Sequence, residues 1–214
     1  MMPDFLLSGP SDAETTLLLA HGAGAPMDSN WMQAVAGHLA GQGIRTVRFE
    51  FAYMAARRSG QRKPPPRAER LMDEYRAAVD AVRASGRLLI GGKSLGGRVA
   101  SMVADDLFAD GRVAGLVCLG YPFHPPGSPE KLRTAHLEGL TCPALICQGT
   151  RDPFGSQDEV DTYSLSKAIS IRWFPGDHDL KPRKSDGLKP DDNLAAVATA
   201  IAEWAGERGG SPRR

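Results

Sequence analysis

Cysteine is scarce in this chain and neither sign of charge prevails. Only three cysteines, Cys118, Cys142 and Cys147, occur in 214 residues. An odd, sparse set without metal-ligand spacing argues against a disulfide framework or a zinc site. Two of the three fall in apolar runs that read as buried strands, so reduced structural thiols in a cytoplasmic protein are expected. Lys and Arg total 26 against 25 Asp and Glu, a formal net charge of +1, which gives no bulk attraction for nucleic acid or anionic membrane. Apolar runs nowhere approach the roughly 18–20 residues that span a bilayer, and Met1-Met2-Pro3-Asp4 opens no signal peptide. With 42% hydrophobic and 24% charged residues, the composition is that of a folded soluble protein rather than a disordered one.

What is present is alternation. Short apolar runs at 16–20, 44–51, 87–91, 113–119, 143–148 and 169–174 read as strands. Segments of helical period at 29–39, 69–84, 96–108, 157–165 and 193–207 read as helices. This is the pattern of βα units, predicting an α/β fold with three layers and a mainly parallel central sheet flanked by helices. A polar, proline-rich surface loop is expected at 57–67, and a crossover with a short helical piece near 128–138. No repeat or linker interrupts the chain. One domain over 1–208 is expected, with a frayed tail at 209–214.

The chemistry concentrates at Gly91-Gly92-Lys93-Ser94-Leu95-Gly96-Gly97, between an apolar strand and a helix. A serine in such a turn sits in strained backbone, and glycines two places either side remove side chains that would clash. The following helix N-terminus offers amide donors and a positive dipole end to a developing negative charge. A serine hydroxyl needs a base, and an imidazole base needs a carboxylate to orient it. Of the three downstream histidines, His178 lies just past the last strand in Phe174-Pro175-Gly176-Asp177-His178-Asp179 and is favoured, with His124 in reserve. His136 sits in the crossover with nothing to recommend it. The acid is expected at the end of the preceding strand, where Asp152 stands in Gly149-Thr150-Arg151-Asp152-Pro153-Phe154. Two backbone donors are expected to stabilise an oxyanion, the amides of Leu95 and of Ala23 in His21-Gly22-Ala23-Gly24-Ala25, with Gly24 next. His21 reads as a structural histidine that fixes this loop.

Strand-HGAGA, strand-GGKSLGG, strand-QGTRDPFG and strand-PGDHDL, in that chain order, resemble an α/β-hydrolase over nearly the whole chain. More narrowly, the chain resembles the cap-less group related to dienelactone-hydrolase-like proteins. That group includes bacterial hydrolase-like proteins, a testis-expressed protein and a domain of a non-specific-lethal chromatin complex subunit. Gly22-Ala23-Gly24-Ala25, Phe51-Ala52-Tyr53-Met54, Gly120-Tyr121-Pro122-Phe123-His124-Pro125 and Asp177-His178 carry the closer match. The resemblance implies a serine nucleophile and supports Ser94, Asp152 and His178 in their roles. Dienelactone hydrolases proper carry cysteine at the nucleophile, so lactone activity is not carried over. The expected function is a serine hydrolase acting on a small carboxylic ester or thioester, without cofactor. Members of the group also serve as scaffolds, so the alternative is a catalytically weak or inactive interaction protein.

Two basic stretches, Arg57/Arg58/Arg62/Lys63/Arg67 and Lys181/Arg183/Lys184/Lys189, follow strands. They read as solvated loops in preference to sites for an anionic substrate group. No nucleic-acid or membrane partner is expected, and oligomeric state is left open. No insertion is long enough for a large lid. Residues 121–140 offer the only partial cover, with Tyr121, Phe123 and His124 expected, beside Gly24, to line an open cleft suited to short acyl groups; Phe123 reads equally well as core.

Overall fold

The computed structural model describes residues 4–61 and 63–207. Seven strands form one sheet: β1 (Phe5–Ser8), β2 (Thr15–Ala20), β3 (Arg45–Phe49), β4 (Arg87–Lys93), β5 (Gly115–Leu119), β6 (Ala144–Gly149) and β7 (Ile169–Phe174). Their order is β1-β3-β2-β4-β5-β6-β7, and all neighbours are parallel except β1, which pairs antiparallel with β3 at one edge. Among the described residues α1 (Asn30–Gly41), α2 (Ala52–Arg58), α3 (Met72–Ala81), α4 (Leu95–Ala109) and α5 (Gln157–Val160) lie between strands, and α6 (Pro190–Glu207) follows β7.

Side-chain alternation explains the three layers. Leu17 and Leu19 of β2, Val117 and Leu119 of β5, and Leu145 and Cys147 of β6 point to one face. There they pack with Met32, Val35 and Leu39 of α1 and Val197, Ile201 and Trp204 of α6. Their neighbours Leu18, Ala20, Leu116, Cys118 and Ile146 point to the other face, against Tyr75, Val79, Val99, Val103 and Leu107 of α3 and α4. Strands buried on both faces read as continuous apolar runs, which is why the inner strands are legible in sequence. All three cysteines are buried, and among the described residues no helix is long and apolar enough to cross a membrane.

Local differences from the sequence reading have physical reasons. The edge strand β1 is only four residues and half-buried, too short to show a period. The loop expected from 57 begins later, because α2 runs to Arg58, anchored by buried Tyr53 and Met54. The expected helix at 69–84 is a 3₁₀ turn, Ala68–Leu71, followed by the ten residues of α3. The expected helix at 157–165 is the single turn of α5, closed by a Ser156–Glu159 capping box. No helix forms at 128–138. Turns such as Leu137 N–H to Thr134 O carry that crossover instead. The expected tail at 209–214 and Arg62 lie outside the described residues.

The order places a site. After β2 the chain moves outward to β3, then β4 returns to the opposite side of β2. Connections diverge at this switch point and leave a crevice beyond the carboxyl ends of β2 and β4. The loop after β2 holds His21 to Ala25, and the turn after β4 holds Ser94.

Candidate active site

Ser94 adopts φ 51° and ψ −114° between β4 and α4. A non-glycine residue in that region costs about 1–3 kcal/mol, sustained only where the surroundings enforce it. Here the Ser94 N–H donates to Leu119 O at 3.0 Å, and its carbonyl accepts from Arg98 N–H at 2.9 Å. The turn is so tight that a Cβ on Gly92 would stand 2.4 Å from the Gly96 carbonyl carbon, and one on Gly96 would stand 2.6 Å from His21 O.

His178 reaches Ser94 from the loop after β7. Its Nε2 lies 2.8 Å from Ser94 Oγ and its Nδ1 2.8 Å from Asp152 Oδ2. A carboxylate only accepts, so Nδ1 carries the proton and Nε2 is free to accept from the serine hydroxyl. Asp152, fully buried, accepts three hydrogen bonds, one of them from His178. Its Oδ1 accepts from Phe154 N–H at 2.8 Å, and Gln148 Nε2 donates to Oδ2 at 2.9 Å. The His178 loop sits directly on the end of β6, where a Cβ on Gly149 would meet Asp177 O at 2.2 Å. It bends through Leu180 at φ 57°. Asn193 of α6 braces it by donating to Pro175 O and Leu180 O at 2.9 and 2.7 Å. Phe154 stacks on the imidazole with ring centres 4.1 Å apart.

The loop after β2 is fixed by His21. Phe51 N–H donates to His21 Nε2 at 3.2 Å, so Nδ1 carries the proton and donates to Gly22 O at 2.6 Å. Burial holds this imidazole below its ordinary pKa, in keeping with a neutral ring. Tyr53 Oη donates to Ala23 O at 3.2 Å, and burial pushes its phenol up to about 12.

A cleft of about 370 Å³ opens over Ser94 and His178, walled by Ala23, Trp31, Met32 and Phe154, with Gly24 at its rim. Three expected lining residues are elsewhere. Tyr121, Phe123 and His124 are buried, at 0%, 0% and 2% exposure, and contribute nothing to the cleft. Gly120, at φ 64°, turns the chain inward after β5. Tyr121 and Phe123 then pack edge to face, and Tyr121 N–H donates to Gln148 Oε1 at 2.7 Å. His124 Nδ1 donates to Pro125 O at 2.9 Å. None of residues 121–140 lines the cleft, so this segment does not cover it. His136 makes a second serine–histidine contact, to Ser101 Oγ at 2.8 Å. That hydroxyl donates to Arg98 O at 2.7 Å, so its proton is committed and the imidazole donates to it.

Sequence reading passed over Gln148, Lys93, Trp31, Phe154 and Asn193. Gln148 alone carried a signal: an amide ending the apolar run Ala144-Leu145-Ile146-Cys147 must find buried partners. Among the described residues, the basic stretches contribute nothing to the cleft lining. Arg58 is spent on Glu50 and Asp28, at 2.7 and 3.0 Å, and Arg183 and Lys184 help form a 3₁₀ turn.

Solved structures share this architecture. An α/β serine hydrolase homologue from Coxiella burnetii is 17% identical with a TM-score of 0.68, over 94% of this chain and 90% of that one. XC6422 from Xanthomonas campestris, an α/β serine hydrolase without a lid, is 19% identical with a TM-score of 0.69, over 94% and 89%. Dienelactone hydrolase from Anabaena variabilis is 20% identical with a TM-score of 0.70, over 95% and 97%. At these identities the likeness is one of fold. The model of the alpha/beta hydrolase domain matches residues 13–206; the chain belongs to the α/β-hydrolase family.

Proposed function

We propose that the protein is a serine hydrolase that cleaves small carboxylic esters or thioesters through an acyl-enzyme. The observation that carries this is the unbroken relay Asp152–His178–Ser94, with both hydrogen bonds at 2.8 Å and the serine held in a strained turn at the floor of an apolar cleft.

In the first half-reaction Ser94 Oγ attacks the acyl carbon while its proton passes to His178 Nε2. Asp152, ionised and accepting from Nδ1–H, stabilises the imidazolium. The carbonyl oxygen becomes an oxyanion. Leu95 is the first residue of α4, and its N–H has no acceptor within the helix. Gly22 O is engaged by His21, and a trans peptide turns the following N–H to the opposite side. Ala23 therefore has its amide directed away from His21, and the residue itself lines the cleft. Each such donor is worth about 2.7–4 kcal/mol in the transition state. The tetrahedral intermediate collapses as His178 returns its proton to the leaving alcohol or thiol. Water, deprotonated by the same nitrogen, then releases the acid and restores Ser94.

Trp31, Met32 and Phe154 give the cleft walls for a small apolar acyl or aryl group, and its volume of about 370 Å³ suits short chains. The test is labelling with a fluorophosphonate probe, comparing wild type with Ser94→Ala, followed by short and long p-nitrophenyl esters. Labelling that vanishes in Ser94→Ala, with faster turnover of the short esters, is expected. Failure of wild type to label, where a control hydrolase labels, would overturn the hydrolase reading in favour of a scaffold. A strong preference for long chains would overturn the small-acyl assignment.

A further inference from the structure

Lys93, the residue before the nucleophile, has no task in the mechanism above, yet it is one of the most constrained cations in the molecule. It is only 7% exposed. Its Nζ donates to the His178 backbone carbonyl at 2.6 Å and pairs with Asp179 Oδ1 at 3.2 Å. The ammonium also stands 5.4 Å from the centre of the Trp31 ring, within cation–π range. Trp31 closes the circuit by donating Nε1–H to Asp179 O at 2.9 Å. Room for the circuit comes from Gly120, where an added Cβ would lie 2.7 Å from His178 O and 3.3 Å from Lys93 Nζ. One charge at the end of β4 thus holds the loop that presents His178, while the adjacent residue presents Ser94.

We propose that Lys93 is a positioning residue whose ammonium latches the His178 loop to the end of β4 and so fixes the imidazole between Asp152 and Ser94. The proposal rests on the serine-hydrolase reading. A buried lysine is a poor choice for packing alone, because the stem could be apolar throughout; the charge is retained where a backbone carbonyl and a carboxylate converge on it.

The latch has a signature in pH. The charged groups facing Lys93 are Asp179 and Asp177 of the same loop and Asp152 beyond β6. The facing element α1 brings the uncharged Trp31 ring, and the ends of β2 and β5 bring Gly22 and Gly120. Burial lowers the Lys93 pKa and outweighs the pull of the three carboxylates, which act to raise it. The ammonium is therefore lost at lower pH than in a solvated lysine. With it goes the ion pair to Asp179, so activity falls on the alkaline side as the loop loosens.

The experiment is the rate of fluorophosphonate labelling at Ser94 from about pH 6 to about pH 11, a span that brackets histidine and lysine titration. Wild type is compared with Lys93→Arg, Lys93→Met and Asp179→Asn. Wild type is expected to lose rate at the alkaline end. Lys93→Arg should keep its rate there, because guanidinium holds its proton. Lys93→Met should label about 10–100-fold more slowly at neutral pH, the cost of a small misplacement, and show no alkaline limb. Asp179→Asn should move that limb to lower pH, since the ammonium loses its counter-charge. An alkaline limb unchanged in Lys93→Arg and Asp179→Asn overturns the latch. Neutral-pH labelling of Lys93→Met within about twofold of wild type, well short of the misplacement cost, overturns it too. Should Lys93→Met not fold, the other two variants decide. Wild type that labels at Ser94 but ignores these substitutions sinks the latch alone, whereas wild type that never labels takes the hydrolase reading down with it.

Discussion

Replacing Gln148 by leucine asks how the buried acid is held. Gln148 is fully buried; its Oε1 accepts from Tyr121 N–H at 2.7 Å, and its Nε2 stands 2.9 Å from Asp152 Oδ2, 3.1 Å from Tyr121 O and 3.2 Å from Gly155 O. Leucine nearly matches its volume, so the cavity cost is small and the loss is one of hydrogen bonding. The Tyr121 N–H is left buried without its acceptor, and Asp152 loses one of its three donors. An orphaned buried group costs about 1–3 kcal/mol and a bond to a charged group is worth about 1.5–3 kcal/mol. The sum, about 2.5–6 kcal/mol, corresponds at this chain length to a fall in Tm of roughly 5–24 °C.

Activity should suffer separately. With the Gln148 anchor gone, the Asp152 carboxylate keeps only Phe154 N–H and His178 Nδ1–H, and can swing. Abolishing an acid's charge in such a relay costs about 10⁴-fold in kcat; loosening it should cost about 10–100-fold. KM should hold, because Gln148 does not line the cleft. Gln148→Glu sharpens the comparison by placing a second carboxylate against Asp152. Like charges at that range cannot both ionise, so the acid limb of kcat/KM should move to higher pH. Thermal melts and steady-state kinetics on p-nitrophenyl acetate read both effects. A Gln148→Leu protein that melts within about 2 °C of wild type, less than the shift from a single kcal/mol, and keeps its kcat would refute the reasoning.

Three further outcomes follow from the geometry. If φ 51° at Ser94 stores strain, Ser94→Gly should be at least as stable as Ser94→Ala in urea denaturation, despite glycine's usual cost of about 0.5–1 kcal/mol; a clearly less stable glycine variant would deny the strain. Phe154→Ala removes the ring stacked 4.1 Å from His178, a contact worth about 0.5–1.5 kcal/mol, so kcat/KM should fall about tenfold with Tm little changed, and an unaltered kcat/KM would count against it. Burial lowers the pKa of His21 and His136, so the unfolded chain binds protons more readily than the folded one. Their contribution to stability is complete above about pH 6.5 and is lost as pH falls through the folded values. Tm should therefore drop on acidification from neutrality, less steeply in His136→Asn, and parallel curves would be inconsistent with titration of that ring.

The outline of the molecule was legible because its inner strands are buried on both faces and its turns carry glycine and proline. Ser94, Asp152 and His178 were legible for a related reason: each sits in a short segment at a strand's carboxyl end, where local residue types announce the turn. The structure brings those three together. What escaped was whatever depended on distant partners. Lys93 meets His178 across 85 positions and Trp31 meets Asp179 across 148, and no local pattern encodes such pairs. Tyr121 and His124 were misassigned, and Phe123 was left between pocket and core, because aromatic residues just past a strand resemble a pocket wall. Whether they face out or in turns on Gly120, whose left-handed φ sends the chain inward. β1 and α2 escaped because four and seven residues are too few to establish a period.

The features that cost stability share one location, and this bears on whether the site is used. A serine at φ 51°, a carboxylate with no exposure and a lysine with almost none each oppose folding by a kcal/mol or more on general grounds, about 1–3 for the backbone alone. None of them is needed for the sheet. Glycine at 94 would relax the turn, an apolar residue at 93 would fill the same space, and an amide at 152 would accept the same Phe154 N–H. A protein kept only for its outer surface would be free to take such substitutions, since they alter no surface outside the cleft. Their convergence at the carboxyl ends of β4, β6 and β7, around one cleft, makes sense if the cost is returned there as preorganisation. The same reasoning links Lys93 to Ser94. Adjacent residues at the end of one strand present the nucleophile and anchor its base, so a shift of β4 would move both together and leave their separation unchanged.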